Sequence, residues 1–122
     1  DVVAINRAVS VRDAVDEYFF RYKYNVFPVE DEEGVIGLIT IDNVKRIPKD
    51  EWGVATVGAI VTELGEGIVV SPDETVSNVI SKIFNNHIGR VLVMEEGRLV
   101  GSVSRTDIMN HLRIYMQLNN IK

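Results

Sequence analysis

Apolar residues near the start of the chain recur with helical spacing. Val11, Ala14, Val15, Tyr18, Phe19 and Tyr22 fall at i, i+3, i+4, i+7, i+8 and i+11, one face of an α-helix. Farther on, Val76, Val79, Ile80, Ile83, Phe84 and His87 follow the same template at an offset of 65. Ser10-x-x-Asp13 opens the first stretch and Thr75-x-x-Asn78 the second. Both are capping signatures, in which a short polar oxygen takes up orphan N–H groups of the first turn.

After each helix the pattern changes to that of strands. Residues 26–29 and 35–40 flank an acidic, Gly-containing turn, and so do 91–94 and 99–104, which predicts two β-hairpins. These stretches match at an offset of 64, laying Gly37 over Gly101, Thr40 over Ser104 and Asn43 over Asp107. The change of offset places a one-residue gain or loss between helix and strand. A short strand precedes each helix, at 2–5 and 68–70. A second helix follows each hairpin. In the second repeat Ile108, Met109, Leu112, Tyr115 and Met116 keep helical phase. In the first, the helix ends near Pro48, since proline disfavours helix at the residue before it. The expected fold class is α+β, two βαββα repeats over 1–50 and 68–122 joined by a linker at 51–67. Within the linker, an amphipathic stretch at 56–64 predicts a short helix. A unit of ~50 residues is marginal alone, so the repeats are expected to pack on each other about a pseudo-twofold axis.

Composition narrows the function. With 46% hydrophobic and 25% charged residues the chain is globular, not disordered. It has no cysteine, which removes disulfides, thiolate metal sites and cysteine nucleophiles and fits an intracellular setting. A net charge of −5 argues against non-specific nucleic-acid binding. The longest apolar run, 35–41, is interrupted by Gly37 and far short of the ~20 residues of a membrane span. No signal peptide is visible. The chain opens at Asp1 and not at Met, so a longer parent with its effector domain outside these residues is expected.

The repeated run Gly-h-h-Thr/Ser-x-x-Asn/Asp-h, with h apolar, carries a family resemblance. It reads Gly37-Leu-Ile-Thr40-Ile-Asp-Asn43-Val44 and Gly101-Ser-Val-Ser104-Arg-Thr-Asp107-Ile108, with Phe27-Pro28-Val29 ahead of the first. The chain resembles a tandem pair of CBS domains, a Bateman module. Asp16-Glu-Tyr-Phe-Phe-Arg-Tyr, the run from Thr40 to Pro48, and Trp52 look like CBS pairs fused to site-2-type membrane zinc metalloproteases. The resemblance implies a regulatory module that binds AMP, ADP, ATP or S-adenosylmethionine in a cleft between repeats and acts on an attached effector. It also implies a homodimer through the CBS repeats, on the cytoplasmic side of any membrane parent. No nucleic-acid partner, metal or required cofactor is expected.

The residues support such a role. Ser104 sits where a strand gives way to a helix, and free N–H groups and the helix dipole there suit a phosphate. The Ser104 hydroxyl is a donor to it, and the resemblance gives Asp107 the ribose hydroxyls. Arg90 is a candidate for phosphate charge and Arg105 a weaker one, with Val70 and Val91 as surfaces for adenine. Thr40 and Asn43 form the parallel site, where an amide replaces the carboxylate. The same two motifs are also plain helix caps, each worth ~1 kcal/mol, and the alternative is a ligand-free dimerisation module. Catalysis finds no motif: there is no Gly-x-Ser-x-Gly elbow, phosphate loop or His-Glu-x-x-His. His87 is expected at the edge of a core and His111 in solvent. Glu30–Glu33 reads as a turn, and Phe20, out of helical phase, as an exposed contact residue.

Overall fold

The computed structural model describes residues 3–119. Val2 of the expected first strand and positions 120–122 of the expected second repeat lie outside the described residues. The chain is α+β and divides into two compact units, 1–64 and 65–122.

The first unit contains β1 (Ile5–Asn6), helix α1 over 11–22, β2 (Val26–Asp31), β3 (Gly34–Thr40) and α2 (Ile41–Lys45). It continues with α3 (Val57–Ile60) and β4 (Thr62–Glu63). Its sheet runs β1-β2-β3-β4, with β1 parallel to β2 and the other pairs antiparallel. Ile5, Val11, Phe19, Phe27, Val29 and Ile39 are among its core residues.

Helix α1 is not uniform. An α-helical turn at Val11–Ala14 is followed by a π-helical turn at Val15–Phe19 and a last α-helical turn at Phe20–Tyr22. The Phe20 N–H reaches back five residues to the Val15 carbonyl. A π turn houses one extra residue inside a helix. Ala14 is buried like its counterpart Val79 is packed on the second core, at an offset of 65. Beyond the π turn, buried Phe19 answers buried Ile83 and exposed Phe20 answers exposed Phe84, at an offset of 64. The extra residue of the first repeat therefore lies within the helix, not between helix and strand.

The second unit contains β5 (Val69–Val70), α4 (Val76–Asn85), β6 (Arg90–Glu95), β7 (Arg98–Ser104) and α5 (Arg105–Asn119). Its sheet runs β5-β6-β7, parallel then antiparallel. Val70, Ile83 and Val91 form its core, with Val79, Val93, Val103 and Ile108 packed against them. Glu96 and Gly97, at φ 52° and 78°, make the two-residue turn of the hairpin, the backbone a type I′ turn requires. Helix α4 stops at Asn85, and His87 lies beyond it at φ 64° and exposed, not at a core edge. Both helices open as half of a capping box: Ser10 Oγ accepts from the Asp13 N–H at 3.1 Å and Thr75 Oγ1 from the Asn78 N–H at 3.2 Å.

Much of 51–67 is built into the first unit. The Trp52 indole donates to the Ile47 carbonyl at 2.9 Å, and the Val11 N–H donates to the Ala55 carbonyl at 2.8 Å. The helix expected over 56–64 is confined to Val57–Ile60, because Val61 is extended and Thr62–Glu63 joins the sheet as β4. Strand β4 lies so close to β3 that a Cβ on Gly37 would collide with the Thr62 carbonyl. At the matching Gly101 the nearest atoms stand 3.8 Å away, and among the described residues no strand covers that edge of β7.

Candidate functional site

Ser104 ends β7 and caps α5. The Ser104 N–H donates to Asp107 Oδ2 at 2.9 Å, and the Asp107 N–H donates to Ser104 Oγ at 3.1 Å. Ser104 is buried and Asp107 exposed. This reciprocal box uses one carboxylate oxygen and one hydroxyl lone pair. It leaves the Ser104 hydroxyl proton as a donor and the second Asp107 oxygen as an acceptor.

Arg90 lies directly across from Ser104 in the β6–β7 register, and Leu92 across from Ser102. Alternation along β7 puts Ser102 and Ser104 on one face. Arg90 Nη1 donates to Ser102 Oγ. The structure thus gathers Arg90, Ser102, Ser104 and the box carboxylate at one end of the sheet. Arg105 is held elsewhere. Its N–H donates to the Gly89 carbonyl at 2.8 Å, and its guanidinium lies 5.0 Å from the centre of the Phe84 ring on α4.

Val70 and Val91, the expected adenine surfaces, are buried in the second core beside Ile83. The register explains why. Val91 pairs with Val103 and Val70 with Val93, so all four sit on the face that packs against the helices. A group seated over Ser104 meets the opposite face. Strand parity assigns that face to Leu92, which is itself fully buried, and to its half-buried partner Val69.

The corresponding box of the first unit is closed. Asn43 is buried, and its Oδ1 accepts from the Thr40 N–H at 2.9 Å and the Thr40 hydroxyl at 2.9 Å. The Thr62 hydroxyl of β4 adds a third donor at 3.3 Å. The Asn43 N–H in turn donates to Thr40 Oγ1 at 3.1 Å. Three donors converge on an oxygen with two lone pairs, and the Thr40 proton is already used.

Three residues outside the sequence reading shape these sites. Ser102 is signalled by period-two spacing from Ser104. Thr62 carries no local signal, since its role depends on a strand pairing formed at long range. Asn86 links the approach to β6. Its Oδ1 accepts from the N–H groups of Ile88 and Gly89, both at 2.9 Å. Its Nδ2 donates to the carbonyls of Gly67 and Arg90, both at 2.8 Å.

Comparison with known proteins adds a family match. The family model of the CBS domain matches twice, over residues 1–50 and 57–114. A zinc metalloprotease of Methanocaldococcus jannaschii is 27% identical over 112 residues, covering 92% of this chain and 30% of that protein. A homoserine O-acetyltransferase of Methanosalsum zhilinae is also 27% identical over 112 residues, covering 92% of this chain and 22% of that protein. The chain spans less than a third of either relative. Among solved structures, the CBS domain of a bacterial CNNM/CorC-family Mg2+ transporter superposes with a TM-score of 0.77 at 16% identity, covering 92% of this chain and 68% of that one. Hypoxic Response Protein I with two coordinated zinc ions gives 0.74 at 19% identity and 90% coverage of both chains. A CBS-domain protein of Streptococcus pneumoniae gives 0.76 at 16% identity, covering 95% of this chain and 82% of that one.

Proposed function

The chain belongs to the CBS-domain family as a tandem pair, a regulatory module, and on that premise we propose that it senses an adenosine compound at the Ser104–Asp107 box. The observation that carries this reading is the difference between the two boxes. Asp107 is exposed and keeps a carboxylate oxygen outside the cap, whereas Asn43 is buried with its acceptor saturated. Ligand binding is therefore assigned to one site per chain. The second Asp107 oxygen accepts from ribose hydroxyls. The Ser104 hydroxyl, the first turn of α5 and Arg90 face phosphate oxygens, or the charged end of S-adenosylmethionine. Val69, half-buried on the face shared with Ser102 and Ser104, is proposed to supply the apolar contact to adenine.

The effector is proposed to lie outside these residues. Two matches, each over 112 residues and 92% of the chain, are to relatives named for two different chemistries, a protease and an acyltransferase. A module shared between unlike enzymes fits regulation better than catalysis. The site-2-type resemblance and the metalloprotease match together favour a membrane metalloprotease as the effector, with this module on its cytoplasmic side. No helix among the described residues is long and apolar enough to cross a membrane. A second reading, a ligand-free dimerisation module, is favoured by one observation: both boxes are complete as helix caps without any ligand.

Thermal unfolding with AMP, ADP, ATP, S-adenosylmethionine and the guanine nucleotides decides between them. A ligand at 100 times its Kd adds ~2.7 kcal/mol. The expected result is an adenine-selective rise in Tm that is lost in Asp107→Ala and retained in Asn43→Ala. A flat response at millimolar ligand overturns the sensor reading.

A further inference from the structure

One side chain ties together the backbone segments that carry the Ser104–Asp107 site. Asn86 is half-buried at the end of α4. An amide offers two lone pairs and two N–H donors, and here every one of them meets backbone. Oδ1 takes the N–H groups of Ile88 and Gly89. Nδ2 donates to the Gly67 carbonyl, ahead of β5, and to the carbonyl of Arg90 itself. The turn between bends at two left-handed residues, His87 at φ 64° and Gly89 at φ 73°. Gly89 passes the constraint on, because its carbonyl accepts from the N–H of Arg105, the first residue of α5, at 2.8 Å.

We propose that Asn86 is a positioning residue of the ligand site. Its amide fixes the backbone of Arg90 and, through Gly89, the first turn of α5, so that both meet the charged end of the ligand in place. The inference rests on the sensor reading and names the residue that sets the geometry of that site. The first repeat supplies the internal comparison. At the offset of 64, Tyr22 stands for Asn86, Lys23 for His87, Asn25 for Gly89, Val26 for Arg90 and Ile41 for Arg105. The backbone path is shared: Lys23 is left-handed at φ 60°, and the Ile41 N–H donates to the Asn25 carbonyl. That bond is longer, 3.3 Å against 2.8 Å. A phenol cannot reproduce the bonds of the amide, so in the first repeat the turn forms without them. The amide is thus not what the turn needs in order to form. It stands in the repeat that has an arginine and a free carboxylate oxygen to hold, and is replaced where Val26 and the closed Asn43 box leave nothing to position.

Isothermal titration of the chain with AMP, ADP, ATP and S-adenosylmethionine tests this, using Asn86→Ala, Arg90→Ala and the double variant. For whichever compounds the native chain binds, Asn86→Ala is expected to raise Kd roughly tenfold, within the range of couplings between residues of one network. In the Arg90→Ala background the same substitution is expected to change Kd by less than about threefold, because the group it positions is gone. A purely structural role lowers Tm but leaves the Kd of the folded chain unchanged, or weakens binding by one factor in both backgrounds. Asn86→Ser keeps an acceptor for the turn and loses the two donors, and it takes the place of Asn86→Ala if that variant is unfolded at the titration temperature. An unchanged Kd, or the same factor with and without Arg90, overturns the proposal and leaves the sensor reading standing. A native chain that binds none of the four compounds overturns the sensor reading and this proposal with it.

Discussion

Truncating Asn43 to alanine is expected to cost far more stability than truncating Asp107, although the two residues occupy the same place in the repeat. Asn43 is 6% exposed and its Oδ1 holds the Thr40 N–H, the Thr40 hydroxyl and the Thr62 hydroxyl. Loss of the cap itself costs ~1 kcal/mol. A buried donor left without a partner adds ~1–3 kcal/mol. The Thr40 N–H is fixed by the backbone at the strand–helix junction, whereas the two hydroxyls are free to rotate toward other acceptors. About 2–3 kcal/mol is therefore expected for Asn43→Ala. Asp107 is exposed, so water takes over its acceptor role, and Asp107→Ala costs only the cap, ~1 kcal/mol. For units of this size each kcal/mol moves Tm by about 4–8 °C, which makes the difference readily measurable. Urea unfolding followed by circular dichroism compares the two variants. Fluorescence of Trp52, the single tryptophan and part of the first unit, follows Asn43→Ala locally. Equal losses, or a loss under ~1 kcal/mol for Asn43→Ala, would refute the claim that the first box is a closed structural element.

A second asymmetry gives a matched pair of glycine variants: Gly37→Ala forces the Thr62 carbonyl away and is expected to cost ~1–3 kcal/mol, while Gly101→Ala, with nothing nearer than 3.8 Å, is expected to be near neutral in the same unfolding assay. Trp52→Phe removes the indole donor to the Ile47 carbonyl and is expected to cost ~1 kcal/mol. Thermal unfolding measures it. The carboxyl of Asp73 titrates below its ordinary value, chiefly because the Ser71 hydroxyl donates to it at 2.7 Å, with its own backbone N–H assisting. A depressed folded-state pKa means that the stabilisation is complete above the unfolded value and is lost as pH falls through the folded one. Ser71→Ala is expected to move the Asp73 titration back up in an NMR pH series.

Both hairpins and both boxes were legible in the chain because each depends on residues a few positions apart, and the repeat because the same local patterns occur twice. What escaped the pattern depends on pairing across distance or on parity. The two-residue strand β4 has almost no sequence signal, and only its partner β3 turns Thr62–Glu63 into sheet. Without β4 there is no reason to expect a close approach at Gly37 or a third donor on Asn43. The π turn in α1 left a trace, the change of offset from 65 to 64, but a sum over the repeat does not say where the extra residue sits. The expectation for Val91 did not use the period of two, which sets Val91 with Val103 on the helix-packed face, where it is buried, and leaves Leu92, equally buried, beside Ser102.

The two boxes show how one local motif supports two roles. A reciprocal cap needs only one acceptor from the third residue of the helix, and either Asn or Asp provides it. What differs is the neighbourhood of the remaining valence. Where β4 comes alongside, a neutral amide is the better occupant, because a carboxylate buried beside two hydroxyls and an N–H would carry a desolvation cost that neutral donors offset only in part. Where no strand covers the edge, a carboxylate stays hydrated at little cost and keeps an acceptor turned outward. The Asn43/Asp107 difference therefore follows from the presence of β4 on one sheet and its absence among the described residues of the other. On this argument burial selects the residue and the residue sets the role. Asn43→Asp should weaken the first unit without creating a second ligand site unless Thr62 is also removed, and a ligand titration of both variants, read as sites per chain, tests that order of cause.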